Sequence, residues 1–172
     1  MDRKDIRRIT GYTFVGQRSN KESWYGLAVS FHDGAIVLGQ HQDSISGGKW
    51  VFFANAALSI ELLLKAILIA RGKAAPRTHE LSNLASMAGV AFTENQGATL
   101  ELLTAMLKWS GRYPIPNREA NWDDYHDRIL KKHIITEQDG NITRVRANPE
   151  TFPSIDAYEA LWDIANRRWN EI

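Results

Sequence analysis

The sequence predicts an all-α fold, an antiparallel bundle of about five to six helices with a small β-hairpin inserted before the last one. Apolar residues recur at helical spacing through a long central segment and through the segments on both sides of it. Capping residues lie at the expected helix starts, and glycine or proline lies near the expected stops. The 172 residues suit a single domain. We place this domain at residues 19–172, after an N-terminal arm of residues 1–18.

The expected helices lie near residues 20–40, 50–71, 80–88, 95–109 and 154–172, with a weaker one near 121–132. A capping box, Ser19 to Glu22, should begin the first helix, and a second box, Thr93 to Gln96, should begin the fourth. Ser154 is the expected N-cap of the last helix. The N-terminal arm shows no sustained period, so we expect it to be loosely attached.

The helix at residues 50–71 is apolar on nearly every side, so other helices must cover it. Glu61 and Lys65 interrupt this surface four residues apart, with the acid on the N-terminal side, which is the favourable order for a helical ion pair. We expect a structural ion pair, buried or half-buried, that fixes the rotation of the helix. Gly72 should end the helix.

The stretch at about residues 134–150 departs from helical spacing. Its residues alternate in polarity on both sides of Asp139 and Gly140, and an Asp-Gly pair in that position is typical of a hairpin turn. We therefore expect a small β-hairpin, or an ordered loop, inserted in a helical domain. Pro149 and Pro153 should end it before the last helix begins.

Composition excludes several classes of site. The chain has 21 basic and 20 acidic residues, so its net charge of +1 indicates neither nucleic-acid nor membrane binding by the protein as a whole. No cysteine is present, which excludes disulfides and thiolate chemistry and is consistent with a reducing cytoplasm. The charged first residues precede no apolar run, so we expect no secretion signal. Glu61 and Lys65 interrupt the longest apolar run, so we expect no membrane span either. We expect a cytoplasmic protein.

One set of residues resembles a known family. A Glu-Leu-Leu-Leu-Lys-Ala helix is followed by a glycine-ended turn, a histidine and two leucines, and later by the sequence GRYPIP at 111–116. The residues are Glu61 to Ala66, Gly72, His79, Leu81 and Leu84. This combination resembles the HEPN superfamily of small helical domains. The resemblance implies a homodimer that binds RNA or a nucleotide in a bacterial defence, toxin–antitoxin or stress setting, with an antitoxin or operon partner possible.

RNA-cleaving HEPN proteins carry an arginine a few residues before a histidine, paired across the dimer. The imidazole handles the proton of the 2′-hydroxyl and the arginine steadies the phosphate, roles that suit both residue types. Arg128 and His133 match this spacing. The spacing is loose enough to occur by chance in this composition, and the last helix, where the family places the motif, has no histidine. A metal-independent ribonuclease using these two residues is therefore the alternative function.

Other residues are candidates for ligand binding. Arg112 and Tyr113 lie between a helix end and two prolines, a rigid edge that could hold a base and a phosphate, although Tyr113 could equally plug the core. His79 could contact a ligand at a helix start, but a structural role beside the central helix is favoured. A local basic patch is expected from four residues: Lys131, Lys132, Arg144 and Arg146.

The leading interpretation is a HEPN-like module that binds RNA or a nucleotide without cofactor or metal. The five histidines show no metal-binding spacing, and no glycine-rich phosphate loop is present. A third interpretation is a structural dimer that binds a partner protein and no ligand. Tryptophans on the first and last helices suit an apolar contact face for such a dimer.

Overall fold

The computed structural model describes residues 1–172 as a helical bundle with one two-stranded antiparallel sheet. The helices are α1 (Arg3–Ile9), α2 (Phe14–Ser19), α3 (Lys21–Gln40), α4 (Gly48–Ala70), α5 (Leu81–Ala88), α6 (Glu94–Ala105), α7 (Glu119–Asp124) and α8 (Ile155–Asn170). A π-helical turn, Met106–Ser110, extends α6, and a second, Tyr125–Ile129, followed by a 3-10 turn, Leu130–His133, extends α7. The predicted all-α bundle with an inserted hairpin is confirmed.

The core is built around α4, which packs against α3, α5, α6 and α8. Phe52, Ile60 and Leu64 on α4 are fully buried, and so are α4 residues on its other sides. Each large apolar side chain buried in this way contributes about 1.5–3 kcal/mol of hydrophobic stabilisation. The apolar surface that the sequence shows around this helix is thus covered by neighbours on most sides, while one stripe, Val51, Asn55, Leu58 and Leu62, stays partly exposed.

The helices α3 and α8 pack directly against each other in antiparallel orientation. Near the end of α3, Gly39 meets Ile155 at the start of α8, and a Cβ added at Gly39 would lie 2.7 Å from Ile155 Cγ1. Near the start of α3, the ring of Tyr25 stacks on Trp169 at 4.5 Å, and its hydroxyl donates to Asn166 Oδ1 at 2.9 Å. The absence of a side chain at position 39 lets the two helices approach closely.

The tryptophans of α8 are engaged within the chain. Trp162 is buried and stacks on His32 of α3 at 4.1 Å, while Trp169 is covered by Tyr25 and by the ammonium of Lys21. Their presence in the sequence is therefore explained by packing of α8 on α3. The homodimer expected from the family resemblance stays a prediction, and α8 does not offer the exposed tryptophan face that we expected for it.

The hairpin has a regular register. β1 (Ile134–Asp139) pairs with β2 (Ile142–Ala147), with Asp139 opposite Ile142 at the turn. Gly140 has φ +58°, a left-handed conformation that glycine adopts without the steric cost of a side chain. The turn residues are Gly140 and Asn141, so Asp139 is the last residue of β1 rather than part of the loop.

The N-terminal arm contains two short helices, α1 and α2, where the sequence indicated no regular structure. Asp2 and Thr13 cap them through side-chain oxygens, and neither helix buries a residue. The first capping box is misplaced in the prediction: Asn20, one residue later than Ser19, is the N-cap of α3, and its side chain accepts from the Ser23 amide at 3.2 Å. The predicted caps at Thr93 and Ser154 are confirmed.

By length and composition, α4 could also cross a membrane. However, 78% of its most apolar 18-residue window is buried inside the protein. A helix buried to this extent by its own domain is a core helix, and most of its apolar surface is not offered to lipid.

Candidate functional site

An aromatic cleft of about 450 Å³ lies where the chain leaves α6 and returns in α7. It is lined by Trp50, Trp109, Arg112, Tyr113, Trp122, Tyr125 and His126. These side chains come from the first turns of α4, from the end of α6 and its following loop, and from α7 with its extension. We call this site the aromatic cleft.

The backbone around Gly111 positions the Arg112-Tyr113 edge of the cleft. A Cβ at Gly111 would lie 2.7 Å from the carbonyl oxygen of Met106 and 3.2 Å from Ala54 Cβ, so only glycine fits between α6 and α4. Arg112 Nη2 then donates to the Leu107 carbonyl oxygen at 2.7 Å, which satisfies a free carbonyl at the helix end. The loop is therefore held against α4 by packing and by a cap.

Four rings of the cleft contact one another, and three of its rings are substantially exposed. The ring centre of Trp109 lies 6.2 Å from that of Trp122 and 5.2 Å from that of Tyr125, which it meets edge-on. The ring centre of Trp122 lies 4.3 Å from that of the His126 imidazole. The exposed fractions of Trp50, Tyr113 and Trp122 are 52%, 58% and 40%. Large exposed rings grouped around one concavity are unusual for surface residues, so we take the aromatic cleft as the candidate binding site.

Polar groups at the rim give the cleft hydrogen-bonding capacity. Arg112 uses only Nη2 within the chain, so its Nε and Nη1 remain free to donate, and its guanidinium lies 5.9 Å from the centre of the Tyr113 ring. His126 Nδ1 donates to the Trp122 carbonyl oxygen at 2.9 Å, which leaves Nε2 for a ligand. Burial raises the pKa of Tyr125, so its hydroxyl stays protonated near neutral pH.

A second, polar cleft of about 340 Å³ adjoins the first and shares Trp109 and Tyr125 with it. Arg128 lies here and is held by two carboxylates: its Nε and Nη2 bind Asp124 at 2.6 and 2.8 Å, and its Nη1 binds Glu101. Lys132 Nζ also binds Glu101, at 2.7 Å. Hydrogen bonds with Asp124 raise the pKa of Arg128, and the guanidinium in turn lowers the pKa of Asp124. Every charge in this network has an opposite partner.

His133 occupies a different environment from Arg128. Its side chain is fully buried, with Nδ1 donating to the Thr151 carbonyl oxygen at 2.8 Å and Nε2 meeting no hydrogen-bond partner. Burial lowers the pKa of His133 and thus favours the neutral ring. No hydrogen bond joins it to Arg128, whose donors already bind two carboxylates. The structure does not bring the two residues together in an open site, and RNA cleavage by this pair stays a prediction.

The Glu61 and Lys65 side chains form a buried ion pair on α4. Their exposed fractions are 6% and 9%, and Lys65 Nζ donates to Glu61 Oε1. His79, at the approach to α5, adds a second partner with Nδ1 at 3.0 and 3.1 Å from the two carboxylate oxygens. The histidine thereby ties the turn after α4 to the helix itself, and its structural role stays a prediction.

The predicted basic patch is largely neutralised. Lys132 binds Glu101, Arg144 binds Asp139 at 3.0 Å, and Arg146 binds Glu137 at 2.9 Å. Lys131 alone has no acidic partner, and neither strand of the hairpin contributes to the aromatic cleft. The four residues therefore do not form a free cationic surface beside Arg112 and Tyr113. No group of three or more potential metal-ligating side chains is present either.

Sequence reasoning found the Arg112-Tyr113 edge of the cleft but missed the tryptophans and His126. Trp109 and Trp122 flank GRYPIP on both sides, and this local enrichment of tryptophan was an available signal. Trp50 lies far away in sequence, at the start of α4, and only the fold brings it to the cleft.

Comparison with known proteins identifies the family. The chain matches the family described as HEPN domain over residues 44–137, more than half of its length. This match includes α4, α5, α6 and the loop with Arg112 and Tyr113. No match to a curated protein or to a solved structure was found. The protein belongs to the HEPN domain family.

Proposed function

We propose that this HEPN domain protein binds the unpaired bases of single-stranded RNA, or the base of a nucleotide, in the aromatic cleft. The observation that carries the proposal is the convergence of Trp50, Tyr113 and Trp122, each at least 40% exposed, on one concavity. Exposed rings are the platform on which proteins stack unpaired bases, and stacking is worth about 1–3 kcal/mol per base. Family membership is consistent with an RNA- or nucleotide-related module.

The polar groups of the cleft supply hydrogen bonds to phosphate and base edges, which ring stacking does not provide. The free donors of Arg112 can bind a phosphate oxygen, and the planar guanidinium suits this contact geometrically. His126 Nε2 can accept a hydrogen bond from a base edge or a 2′-hydroxyl. One arginine among several rings indicates recognition of bases more than of a long phosphate backbone, since a backbone groove would need several free cations.

A binding titration tests this proposal. The probe is a fluorescently labelled 5′-hydroxyl oligouridine of about ten nucleotides, within the site size of single-strand binders. Tyr113→Ala and Trp50→Ala should each weaken binding by roughly 5- to 100-fold, the equivalent of about 1–3 kcal/mol. Tyr12→Ala is the matched control, because Tyr12 is an equally exposed tyrosine outside the cleft, and it should bind as the unmodified protein does.

Each variant should retain its thermal unfolding midpoint, since the removed rings are more than half exposed. Equal affinity of Tyr113→Ala, Trp50→Ala and the unmodified protein would exclude the aromatic cleft as the binding site. The same labelled strand, recovered after incubation with chelator and run on a denaturing gel, shows whether it has been cut. Cleavage that disappears in Arg128→Gln would instead support the ribonuclease alternative.

A further inference from the structure

A second cleft lies at the opposite end of α4, between the N-terminal arm, α3 and the turn before α5. Its volume is about 420 Å³, and four basic side chains line it: Arg18, Lys65, Arg77 and His79. No acidic side chain lines this cleft. Because α4 rises about 1.5 Å per residue, Lys65 lies roughly 22 Å along the helix axis from Trp50 in the aromatic cleft. We call this second site the arm cleft.

The charges of the arm cleft are not balanced within the chain. Glu61 lies against two of the lining residues, binding Lys65 and His79, and its single negative charge offsets that of Lys65. The side chains of Arg18 and Arg77 make no hydrogen bond and no ion pair with any other residue, and both residues are exposed. Two unpaired guanidinium groups facing one concavity, beside an imidazole, form a site for an anion with several oxygens, such as a phosphate.

An apolar compartment adjoins these charges. A neighbouring cleft of about 410 Å³ is lined by Trp24 and Leu27 of α3 and by Leu62 of α4, and it shares Phe14, Arg18 and Trp24 with the arm cleft. Phe14 is 80% exposed although it lies beside Trp24. Two aromatic rings next to a cationic site match a ligand that has a flat apolar part joined to a phosphate.

We propose that the arm cleft binds a nucleoside phosphate, with the phosphate between Arg18 and Arg77 and the base against Phe14 and Trp24. This assignment does not depend on the proposed function of the aromatic cleft. Phe14, Arg18 and Trp24 precede residue 44, so the site is built in part by segments outside the matched HEPN region. The arm and the first long helix thus supply its aromatic rings and one of its two arginines.

Calorimetric titration with adenosine 5′-monophosphate tests the proposal on the full chain. The nucleotide should bind at least about tenfold more tightly than adenosine or inorganic phosphate, because each carries only half of the recognised groups. The double variant Arg18→Gln/Arg77→Gln should lose at least about tenfold in affinity. Lys73→Gln removes one positive charge from the same exposed turn without touching the cleft, so it should leave affinity unchanged.

Tyr113→Ala separates the two clefts. It should leave binding of the monophosphate unchanged; if it abolishes that binding while the double arginine variant does not, the nucleotide site is the aromatic cleft and the assignment is wrong. Equal affinity for inorganic phosphate and the monophosphate would overturn the base contact. Absence of monophosphate binding by the folded protein would overturn the proposal entirely.

The nucleoside phosphate could be free or could be the 5′ end of an RNA strand. A 5′-phosphorylated and a 5′-hydroxyl oligonucleotide of the same sequence, compared in the Tyr113→Ala background, distinguish these sources. Tighter binding of the phosphorylated strand, lost in the double arginine variant, would identify an RNA end as the ligand. Equal binding of the two strands, with the monophosphate still bound, would identify the free nucleotide.

Discussion

The two ends of α4 differ in the kind of residue whose burial is unusual. Near its C-terminal end, Glu61 and Lys65 are charged but buried and meet their partners within the chain. Near its N-terminal end, Trp50 is apolar but half exposed, and other exposed rings surround it. Burying charges is costly unless they are paired, and exposing rings forgoes hydrophobic stabilisation. The first arrangement therefore serves the fold, and for the second we propose a ligand.

The largest effect is expected at the buried end. Glu61→Ala or Lys65→Ala leaves one charge without its main partner in a site less than 10% exposed, at a cost on the order of 3–5 kcal/mol of unfolding free energy. The double variant Glu61→Leu/Lys65→Met removes both charges and keeps the volume, so it should recover much of the loss. Urea melts measure the three values. Single variants within about 0.5 kcal/mol of the unmodified protein would show that the pair is solvated.

The second effect is a loss of stability in mild acid. Burial lowers the pKa of His32, which bonds the Tyr158 hydroxyl at 2.7 Å, and it lowers the pKa of His133. Both histidines therefore bind protons more readily in the unfolded chain, whose ordinary histidine pKa is 6.5. Their contribution is complete above that pH and is lost as the pH falls through 6.5 toward their lower folded pKa values.

Urea melts between pH 8 and 5 measure this dependence, and His133→Gln should flatten it. His41→Gln is the control for removing a histidine, because His41 is exposed at the end of α3 and outside the core. The carboxylates of Glu101 and Asp124 also have lowered pKa values, but their ordinary values are 4.5 and 3.8, so they act in a separate, more acidic range. A profile that is flat from pH 8 to 5 would contradict the burial of both histidines.

The smallest effect is expected for the exposed network. Arg128 forms ion pairs with both Glu101 and Asp124, yet its side chain is half exposed. Arg128→Gln should cost under about 1 kcal/mol, and added salt should reduce that cost further. The matched comparison is Lys65→Ala, measured at the same two salt concentrations. A salt-independent cost of several kcal/mol for Arg128→Gln would place this network among the structural elements of the core.

Periodicity explains why most of the helices were predictable. In each of the helices α4, α5, α6 and α8, the residues that indicate the helix lie within a few turns of one another in the sequence. A local pattern is therefore enough to predict the helix. The Glu61–Lys65 pair was also local, at one helical turn. The short α1 and α2 have no apolar stripe that packs on a core, so no helical period in the sequence indicated them.

The binding sites depend on distant segments and were less accessible. The aromatic cleft joins Trp50 to residues beyond position 108, and the arm cleft joins Arg18 to Arg77. A single sequence does not indicate which of its exposed residues meet. The spacing of Arg128 and His133 in the sequence does not indicate whether either residue is buried. The structure places the histidine in the interior and the arginine between two carboxylates.

The most direct test of the central claim uses the indole N–H signals of the six tryptophans in a proton–nitrogen correlation spectrum. A 5′-hydroxyl oligouridine is added to the labelled protein. We predict that the signals of Trp50, Trp109 and Trp122 shift together on titration, while those of Trp162 and Trp169, packed between α3 and α8, stay in place. Shifts confined to tryptophans outside the aromatic cleft, or no shift at saturating RNA, would contradict the account.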